Sequence, residues 1–163
     1  GQAGNPEITE ENQDFAAFMA ALNTVTVYLC RMIVAGGEGA TKLLECIVNG
    51  AADDQNAKMV AKSIVCSSLL KAAMFGADAN WGRVLCAIGY SKANVDIHKV
   101  DKGTVVVCKN GAGVPFSEEK AKEILLEKEI ILHVTLRDGE GSATAWGCDL
   151  TYDYVKINGD YRS

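Results

Sequence analysis

The fold is decided by residues 43–65, which read LLECIVNGAADDQNAKMVAKSIV. The apolar, β-rich run 43–48 closes at the turn-forming pair Asn49-Gly50 and predicts a strand. Asp53 or Asp54 then caps a helix. The apolar positions of that helix recur at spacings of three and four, at Ala57, Val60, Ala61, Ile64 and Val65. A strand followed at once by an amphipathic helix predicts an α/β domain, with α+β as the alternative, in which helices pack on a mixed sheet.

The same signals predict the remaining elements. We expect strands at residues 69–75, 130–136 and 150–157, strand-like runs within the segment 95–116, and helices that begin near Asp78 and Ser117. Turns are expected at Asn110-Gly111 and Asp138-Gly139, and Gly139-Glu140-Gly141 reads as an exposed turn. Because no linker rich in Pro, Gly or Ser divides the chain, residues 1–163 are predicted to form one structural unit with a leading helix.

That leading helix is expected over about residues 9–35. Thr9 is expected to cap it, and Glu10 and Glu11 lie in the first turn, where the helix dipole favours negative charge. Gly36-Gly37 should end it. One face of the helix is apolar, formed by Phe15, Phe18, Met19, Leu22, Val25, Leu29 and Ile33. We interpret this face as core packing rather than as a ligand cage.

Charge and cysteine usage exclude several classes of protein. The 16 basic and 21 acidic residues give a net charge of −5, and no Lys or Arg stripe is present, so nucleic acid and anionic membranes are poor partners. We expect neither a leader at residues 1–9 nor an apolar stretch of the ~18 residues that a membrane span needs. The six cysteines form no Cys-x-x-Cys pair. They are therefore predicted to be reduced, buried thiols in a cytoplasmic protein without a metal.

Few residues point to chemistry by spacing alone. Glu38, between Gly37 and Gly39, could hold a cationic ligand, although spacing alone favours a plain turn with a solvated carboxylate. His98 and His133 are weak candidates for a Cys-His pair or a metal site. Arg83, in GADANWGR at 76–83, offers a fork for a carboxylate, and a buried, satisfied arginine explains it equally well.

The C-terminal residues 145–163, AWGCDLTYDYVKINGDYRS, are unusual for a chain end. Termini are commonly polar and frayed, whereas this one is rich in aromatic and β-forming residues. We therefore expect it to be folded into the domain and to form part of a site.

Three motifs together resemble a known family. GEGATK at 37–42, GADANWGR at 76–83 and the C-terminal AWGCDLTYDYVKINGDYRS are similar to segments of the ornithine acetyltransferases, the bifunctional arginine-biosynthesis proteins, and occur in that family's order. By this resemblance Glu38, Asn158 and Ser163 are substrate-binding residues. The fold implied is the C-terminal part of an N-terminal-nucleophile-type acetyltransferase.

The resemblance also implies a reaction. Members of the family move acetyl from N2-acetyl-L-ornithine to L-glutamate through an acyl-enzyme on the N-terminal threonine of a β chain, which forms when the precursor cuts itself. No cofactor is implied, and some members also accept acetyl-CoA. Since the family's nucleophile lies before the long first helix, we expect no catalytic residue in this chain and little activity from it alone.

The resemblance implies two protein partners, an upstream α chain and the remainder of the β chain, in a hetero-oligomer. The leading helix 9–35 is expected to dock on this missing part. Two other functions stay open. A related N-terminal-nucleophile hydrolase or aminopeptidase would release its acyl group to water, and a non-catalytic assembly subunit would have no turnover at all.

Overall fold

The computed structural model describes residues 2–96, 101–102 and 107–160. The chain divides into two compact units, Gly1–Ile33 and Val34–Ser163. The helices are α1 (Gln13–Ala35), α2 (Asp54–Cys66), α3 (Ser68–Phe75), α4 (Trp81–Gly89), α5 (Glu118–Leu125) and α6 (Tyr152–Gly159). The strands are β1 (Leu43–Ala51), β2 (Asp101–Lys102), β3 (Cys108–Lys109), β4 (Ala112–Gly113), β5 (Glu129–Thr135) and β6 (Gly141–Cys148).

The strands form a mixed sheet in the order β4-β3-β2-β5-β1-β6. The central strand β1 runs parallel to β5 and antiparallel to β6. The other neighbours, β5 with β2, β2 with β3 and β3 with β4, are antiparallel. This mixed sheet with packed helices confirms the predicted α/β class.

Helix α2 covers one face of this sheet. The buried residues on this face are alternate positions of β1, the positions paired with them in β5 and all five predicted apolar positions of α2: Leu44, Cys46, Val48, Ile130, Leu132, Val134, Ala57, Val60, Ala61, Ile64 and Val65. A Cβ added at Gly147 would lie 2.8 Å from Val65 Cβ and 2.9 Å from its carbonyl oxygen. The small residues of β6 therefore let α2 approach the sheet closely. On the opposite face Ile131 is 51% exposed.

Side-chain caps define where most helices begin. Asp53 accepts a hydrogen bond from Asn56 N at 2.7 Å and Ser117 accepts one from Lys120 N at 3.3 Å, as the sequence predicts. At α4 the cap is Asn80, whose Oδ1 accepts from Arg83 N at 3.1 Å, so the prediction of Asp78 was wrong. At α1 the backbone N of Phe15 donates to Asn12 Oδ1 at 3.0 Å, so Thr9 does not cap that helix.

Two predicted strands are helices. Residues 69–75 form α3, capped by Ser67, with Leu70, Ala73 and Met74 buried. Residues 150–157 lie mostly in α6, which Thr151 caps. At 69–75 the Ser67 cap and the buried face of α3 outweighed the strand signal of a compact apolar run. At 150–157 the Thr151 cap outweighed the alternation, and the Phe75 and Tyr152 rings meet edge to face at 5.6 Å.

Strand β6 was missed because its Gly, Ser and Ala residues have weak β propensity. Gly141, expected in an exposed turn, is buried at the start of β6, whereas Gly139 and Glu140 are exposed.

The turns predicted from Asn-Gly pairs have different outcomes. Strand β1 continues past Asn49-Gly50 through an irregularity at Gly50. The turn at Asn110-Gly111 is confirmed, with φ of 52° and 72°. Within the segment 95–116, residues 97–100, which include His98, and residues 103–106 lie outside the described residues.

Helix α1 differs from its predicted role. It has no buried residue, so the interpretation of its apolar face as core was wrong within this chain. It is also long and apolar enough to cross a membrane by length and composition, which corrects the expectation that no such stretch exists. This is weak evidence for a span, because core helices and N-terminal signals have the same properties.

The cysteines are only partly buried. Cys46 and Cys108 lie in the core, as predicted, whereas Cys66 and Cys86 are free and exposed. Cys66 is the last residue of α2 and Cys86 lies on α4. The prediction of uniformly buried thiols was wrong for these two residues, because a helix buries one face and leaves the other to solvent.

Candidate functional site

The first element of the site is the loop that joins α1 to β1 and carries Glu38 (residues 36–42). Gly39 has a φ of +68°, a left-handed conformation that favours glycine. A Cβ at Gly39 would lie 2.7 Å from Tyr154 N and 3.0 Å from Asp153 C. Glycine is thus required twice, for its backbone angle and for close approach of this loop to the first turn of α6.

The second element is Asn158, near the end of α6. Its Nδ2 donates to Glu38 Oε2 at 3.2 Å and to Tyr154 O at 2.9 Å. Glu38 and Asn158 are both exposed and lie 120 positions apart in sequence. The structure therefore brings together two of the three predicted substrate-binding residues, and the third, Ser163, lies outside the described residues.

Asp149 fastens the Glu38 loop to the end of β6. The side chain is 3% exposed, and its Oδ1 accepts from the backbone N of Thr41 at 2.8 Å and of Lys42 at 3.0 Å. Its Oδ2 accepts from the Thr41 hydroxyl at 2.5 Å. Three donors from two residues satisfy a buried carboxylate that would otherwise be costly to desolvate.

Thr151 connects the same loop to α6. Its hydroxyl donates to Gly39 O at 2.7 Å and accepts from Tyr154 N at 3.2 Å, so it serves as the N-cap of the helix. Thr151 is 5% exposed. Neither Asp149 nor Thr151 was singled out from the sequence. Their only signal was a carboxylate and a hydroxyl just before a helix, which is too common a pattern to identify a role.

Lys42 anchors the far end of the loop in the helical layer. Its Nζ donates to Met74 O and to Leu125 O, both at 2.6 Å, which are carbonyl groups in the last turns of α3 and α5. Burial lowers the pKa of Lys42, and the negative charge of Asp149 opposes that shift. A cation at helix C-termini complements the helix dipoles and leaves Lys42 engaged with the scaffold.

The exposed end of this arrangement suits an ammonium group. The Asn158 amide uses its two N–H groups on Glu38 and Tyr154, so the carbonyl oxygen is the part of it that can accept. The exposed Glu38 carboxylate could pair with an ammonium group. Among the described residues no group of three or more His, Cys, Asp or Glu could hold a metal ion, and His133 lies in β5.

The GADANWGR motif (residues 76–83) lies at the start of α4, apart from the contact between Glu38 and Asn158. Arg83 Nη1 donates to Leu69 O at 2.7 Å, which favours the structural interpretation of this arginine. Trp81 packs so close to β4 that a Cβ on Gly113 would lie 2.6 Å from its ring. A cleft of about 520 Å³ opens beside it, lined by residues 77–82, Phe116, Glu118 and Lys122.

The chain is similar throughout its length to proteins of known name. A sequence model of the ArgJ family matches residues 1–163. The chain is 52% identical to the arginine biosynthesis bifunctional protein ArgJ 1 of Clostridium acetobutylicum, and covers 41% of that protein with 100% of its own length. It is also 52% identical to ArgJ of Caldanaerobacter subterraneus subsp. tengcongensis, of which it covers 42%.

The crystal structure of an arginine biosynthesis bifunctional protein ArgJ from Bacillus halodurans superposes with a TM-score of 0.92 at 48% identity. The alignment covers 98% of this chain and 76% of the crystallised chain. The chain thus spans about two fifths of the length of the curated relatives that it matches, and about three quarters of the solved one.

Proposed function

The chain belongs to the ArgJ family, and on that basis we propose that it is part of a glutamate N-acetyltransferase that moves acetyl from N2-acetyl-L-ornithine to L-glutamate in arginine biosynthesis. The relatives are named as bifunctional arginine-biosynthesis proteins. The observation that carries the proposal for this chain is the hydrogen bond between Glu38 and Asn158, which joins two distant motifs into one exposed polar site.

In this proposal the chain supplies substrate binding. Ornithine and glutamate share an α-amino acid group, and only ornithine and its acetylated form extend it with an amine. The Glu38 carboxylate pairs with an ammonium, and Asn158 adds a neutral acceptor beside it. Ser163, the last residue, would add a further hydroxyl from the same C-terminal motif.

The acyl-transfer chemistry would be supplied from outside the described site. A threonine nucleophile in the remainder of the protein would take the acetyl group and release ornithine, and glutamate would then take the acetyl group from the acyl-enzyme. An oxyanion hole in the preceding chain would stabilise the tetrahedral intermediate. Acetyl-CoA is a possible second donor, which replacing N-acetylornithine by acetyl-CoA in the assay would test directly.

The partners in this proposal are an upstream α chain and the rest of the β chain. The crystallised Bacillus halodurans chain supports it, because 98% of this chain covers 76% of that chain, whereas the whole of this chain covers 41% of a curated relative. The solved chain is therefore about half as long as that relative, as expected for a protein divided into two chains. Arginine biosynthesis also agrees with the cytoplasmic location predicted from the sequence, which cell fractionation would test.

The substrate-binding role is tested by Glu38→Gln in the complete protein. A hydrogen bond to a charged group contributes about 1.5–3 kcal/mol, so kcat/KM for N-acetylornithine should fall about ten- to a hundredfold. Glu140→Gln is the matched control, since Glu140 is also a glycine-flanked, exposed acid but lies in the turn before β6. Wild-type kinetics in both variants would make Glu38 a plain surface carboxylate.

Product analysis tests the class of reaction. The complete protein should convert glutamate to N-acetylglutamate in step with the loss of N-acetylornithine. Release of free acetate without acetylated glutamate would identify a hydrolase instead. No turnover with any acyl donor would favour an assembly subunit. The separate 163-residue chain is expected to show little transfer in the same assay.

A further inference from the structure

Two buried polar residues outside the predicted site connect its two halves. Asp149 and Thr151 are 3% and 5% exposed. Asp149 accepts three hydrogen bonds from Thr41 and Lys42, and Thr151 bonds both Gly39 and the start of α6. We call residues 149–151 the clasp, because the hydrogen bonds of Asp149 and Thr151 reach both the Glu38 loop and the first turn of α6.

The clasp is itself fixed to the scaffold. The backbone N of Leu150 donates to Lys71 O on α3 at 3.2 Å, and Asp149 N donates to Lys42 O at 3.3 Å. The loop end is held as well, since Lys42 Nζ donates to carbonyl groups of α3 and α5. Part-buried hydrogen bonds therefore hold the Glu38 loop and the start of α6 in place against the helical layer.

The direct contact between Glu38 and Asn158 is too weak to set that position by itself. At 3.2 Å and fully exposed, this hydrogen bond competes with water and contributes little. The bonds to Asp149, at 2.5–3.0 Å, and the bond from Thr151 to Gly39, at 2.7 Å, are shorter and part-buried, and the bond from Tyr154 N to Thr151 is 3.2 Å and also part-buried. Hydrogen bonds to a charged carboxylate are the stronger class. The geometry of the site thus depends on the clasp more than on the site residues.

We propose that Asp149 and Thr151 are positioning residues, which hold the Glu38 loop and α6 at the separation that the amino-acid substrate requires. This proposal rests on the proposed function, in which Glu38 and Asn158 bind the substrate. The single Thr151 hydroxyl is the decisive group, because it bonds the glycine after Glu38 and caps the helix that carries Asn158. Its loss would release the loop and the helix from each other without removing a substrate contact.

The test is Thr151→Val in the complete protein, since valine keeps the shape of threonine and lacks the hydroxyl. Losing one neutral hydrogen bond and one helix cap should raise KM for N-acetylornithine about tenfold, while kcat stays within about twofold. Thr151→Ser keeps the hydroxyl and should restore KM to within about twofold of wild type. Thr26→Val is the matched control, because its hydroxyl bonds only carbonyl groups of its own helix.

If the Thr151 hydroxyl only stabilised the fold, Thr151→Val would change the kinetic constants in a different way. It would lower the fraction of folded enzyme, so the apparent kcat would fall, KM would stay at the wild-type value and Thr151→Ser would rescue the protein yield only. That result would overturn the proposal. If Thr151→Val yields no folded protein, Thr41→Val is the second variant. Thr41 is exposed, and its hydroxyl donates one of the three hydrogen bonds that Asp149 accepts, so a KM increase of about threefold is expected.

Amide hydrogen exchange separates failure of this proposal from failure of the proposed function. In Thr151→Val the amides of Thr41, Lys42 and Tyr154 should exchange about tenfold faster, with core strands unchanged. Unchanged exchange at these amides would overturn the clasp even if the protein is an acetyltransferase. Faster exchange in a protein without acetyl transfer would support the clasp and reject the proposed substrates.

Discussion

Helices α1 and α2 have the same sequence pattern and opposite environments. Both place apolar residues at spacings of three and four, yet α2 buries five of these positions and α1 buries none. Ile64 on α2 is 0% exposed, whereas Ile33 on α1 is 75% exposed. Periodicity therefore shows which face of a helix avoids water, and it does not show whether the same chain supplies the surface that covers it.

The difference follows from what each helix has beside it. Strand β6 offers α2 a row of small residues, and Gly147 lets the helix backbone approach closely. Helix α1 lies in the unit Gly1–Ile33, which contains no second element among the described residues. Since the chain spans about two fifths of its curated relatives, the cover for α1 is expected in the rest of the protein.

The largest expected effect separates the two helices directly. Ile64→Ala removes three carbons from a fully buried site and should lower the free energy of unfolding by about 2–5 kcal/mol. Ile33→Ala, the same change on α1, should stay within about 0.5 kcal/mol. Urea denaturation of the 163-residue chain measures both. Equal losses in the two variants would show that α1 is packed within this chain.

A second substitution tests whether the apolar face of α1 is buried against the remainder of the protein. Phe18→Ala should cost at least about 2 kcal/mol in the complete protein, because a buried aromatic side chain would be lost. In the 163-residue chain, where Phe18 is 52% exposed, it should change stability by less than about 0.5 kcal/mol. Small effects in both proteins, together with co-sedimentation of the complete protein with lipid vesicles, would instead favour a membrane role for α1.

A third test concerns the close approach of α2 to the sheet. A Cβ at Gly141 would lie 2.1 Å from Asp53 C and 2.3 Å from its carbonyl oxygen. Gly141→Ala must therefore displace the backbone at the start of α2, and we expect a loss of about 1–3 kcal/mol. Gly159→Ala on α6 is the control, because nothing lies within 4 Å of a Cβ there. A thermal melt in which the two variants match would contradict this packing.

The smallest expected effect is a pH dependence of stability that the Asp53 cap of α2 has and the Asn12 cap of α1 lacks. Hydrogen bonds from Asn56 lower the pKa of Asp53 below 3.8, so its contribution to stability is present above that value and is lost as pH falls through the lower, folded-state pKa. Asp53→Asn should keep the cap and lack this dependence, as the Asn12 cap of α1 does. Unfolding curves between about pH 2.5 and pH 6 compare them. Parallel pH profiles for wild type and Asp53→Asn would disprove the assignment.

Local sequence signals predicted an element correctly where its cap residue and its hydrophobic period agreed with the burial in the structure. The caps at Asp53 and Ser117, the strand that begins at Leu43 and the buried face of α2 were all predicted correctly. The same kind of reasoning was wrong for α3 and α6, where a short apolar run fits either period. It also missed β6, since small residues become a strand there only because β1 and α2 lie against them.

The candidate site was predictable in part. Glu38 and Asn158 were assigned by resemblance, and the structure shows them in contact. Ser163 stays a prediction. Asp149 and Thr151 could not be found from sequence, because a buried polar side chain is recognised by its hydrogen-bond partners, and for both residues these include groups about a hundred positions away.

By itself the sequence determined the periodicity of α1 and α2, the caps at Asp53 and Ser117, the α/β class and, through three motifs, the family. These features depend on neighbours within a few residues or on linear similarity. Only the tertiary structure decided which apolar faces are covered, that the C-terminal segment is helical, and that Asp149 and Thr151 join the Glu38 loop to α6. Burial and long-range hydrogen bonds depend on the three-dimensional arrangement of the whole chain, which no short window of sequence contains.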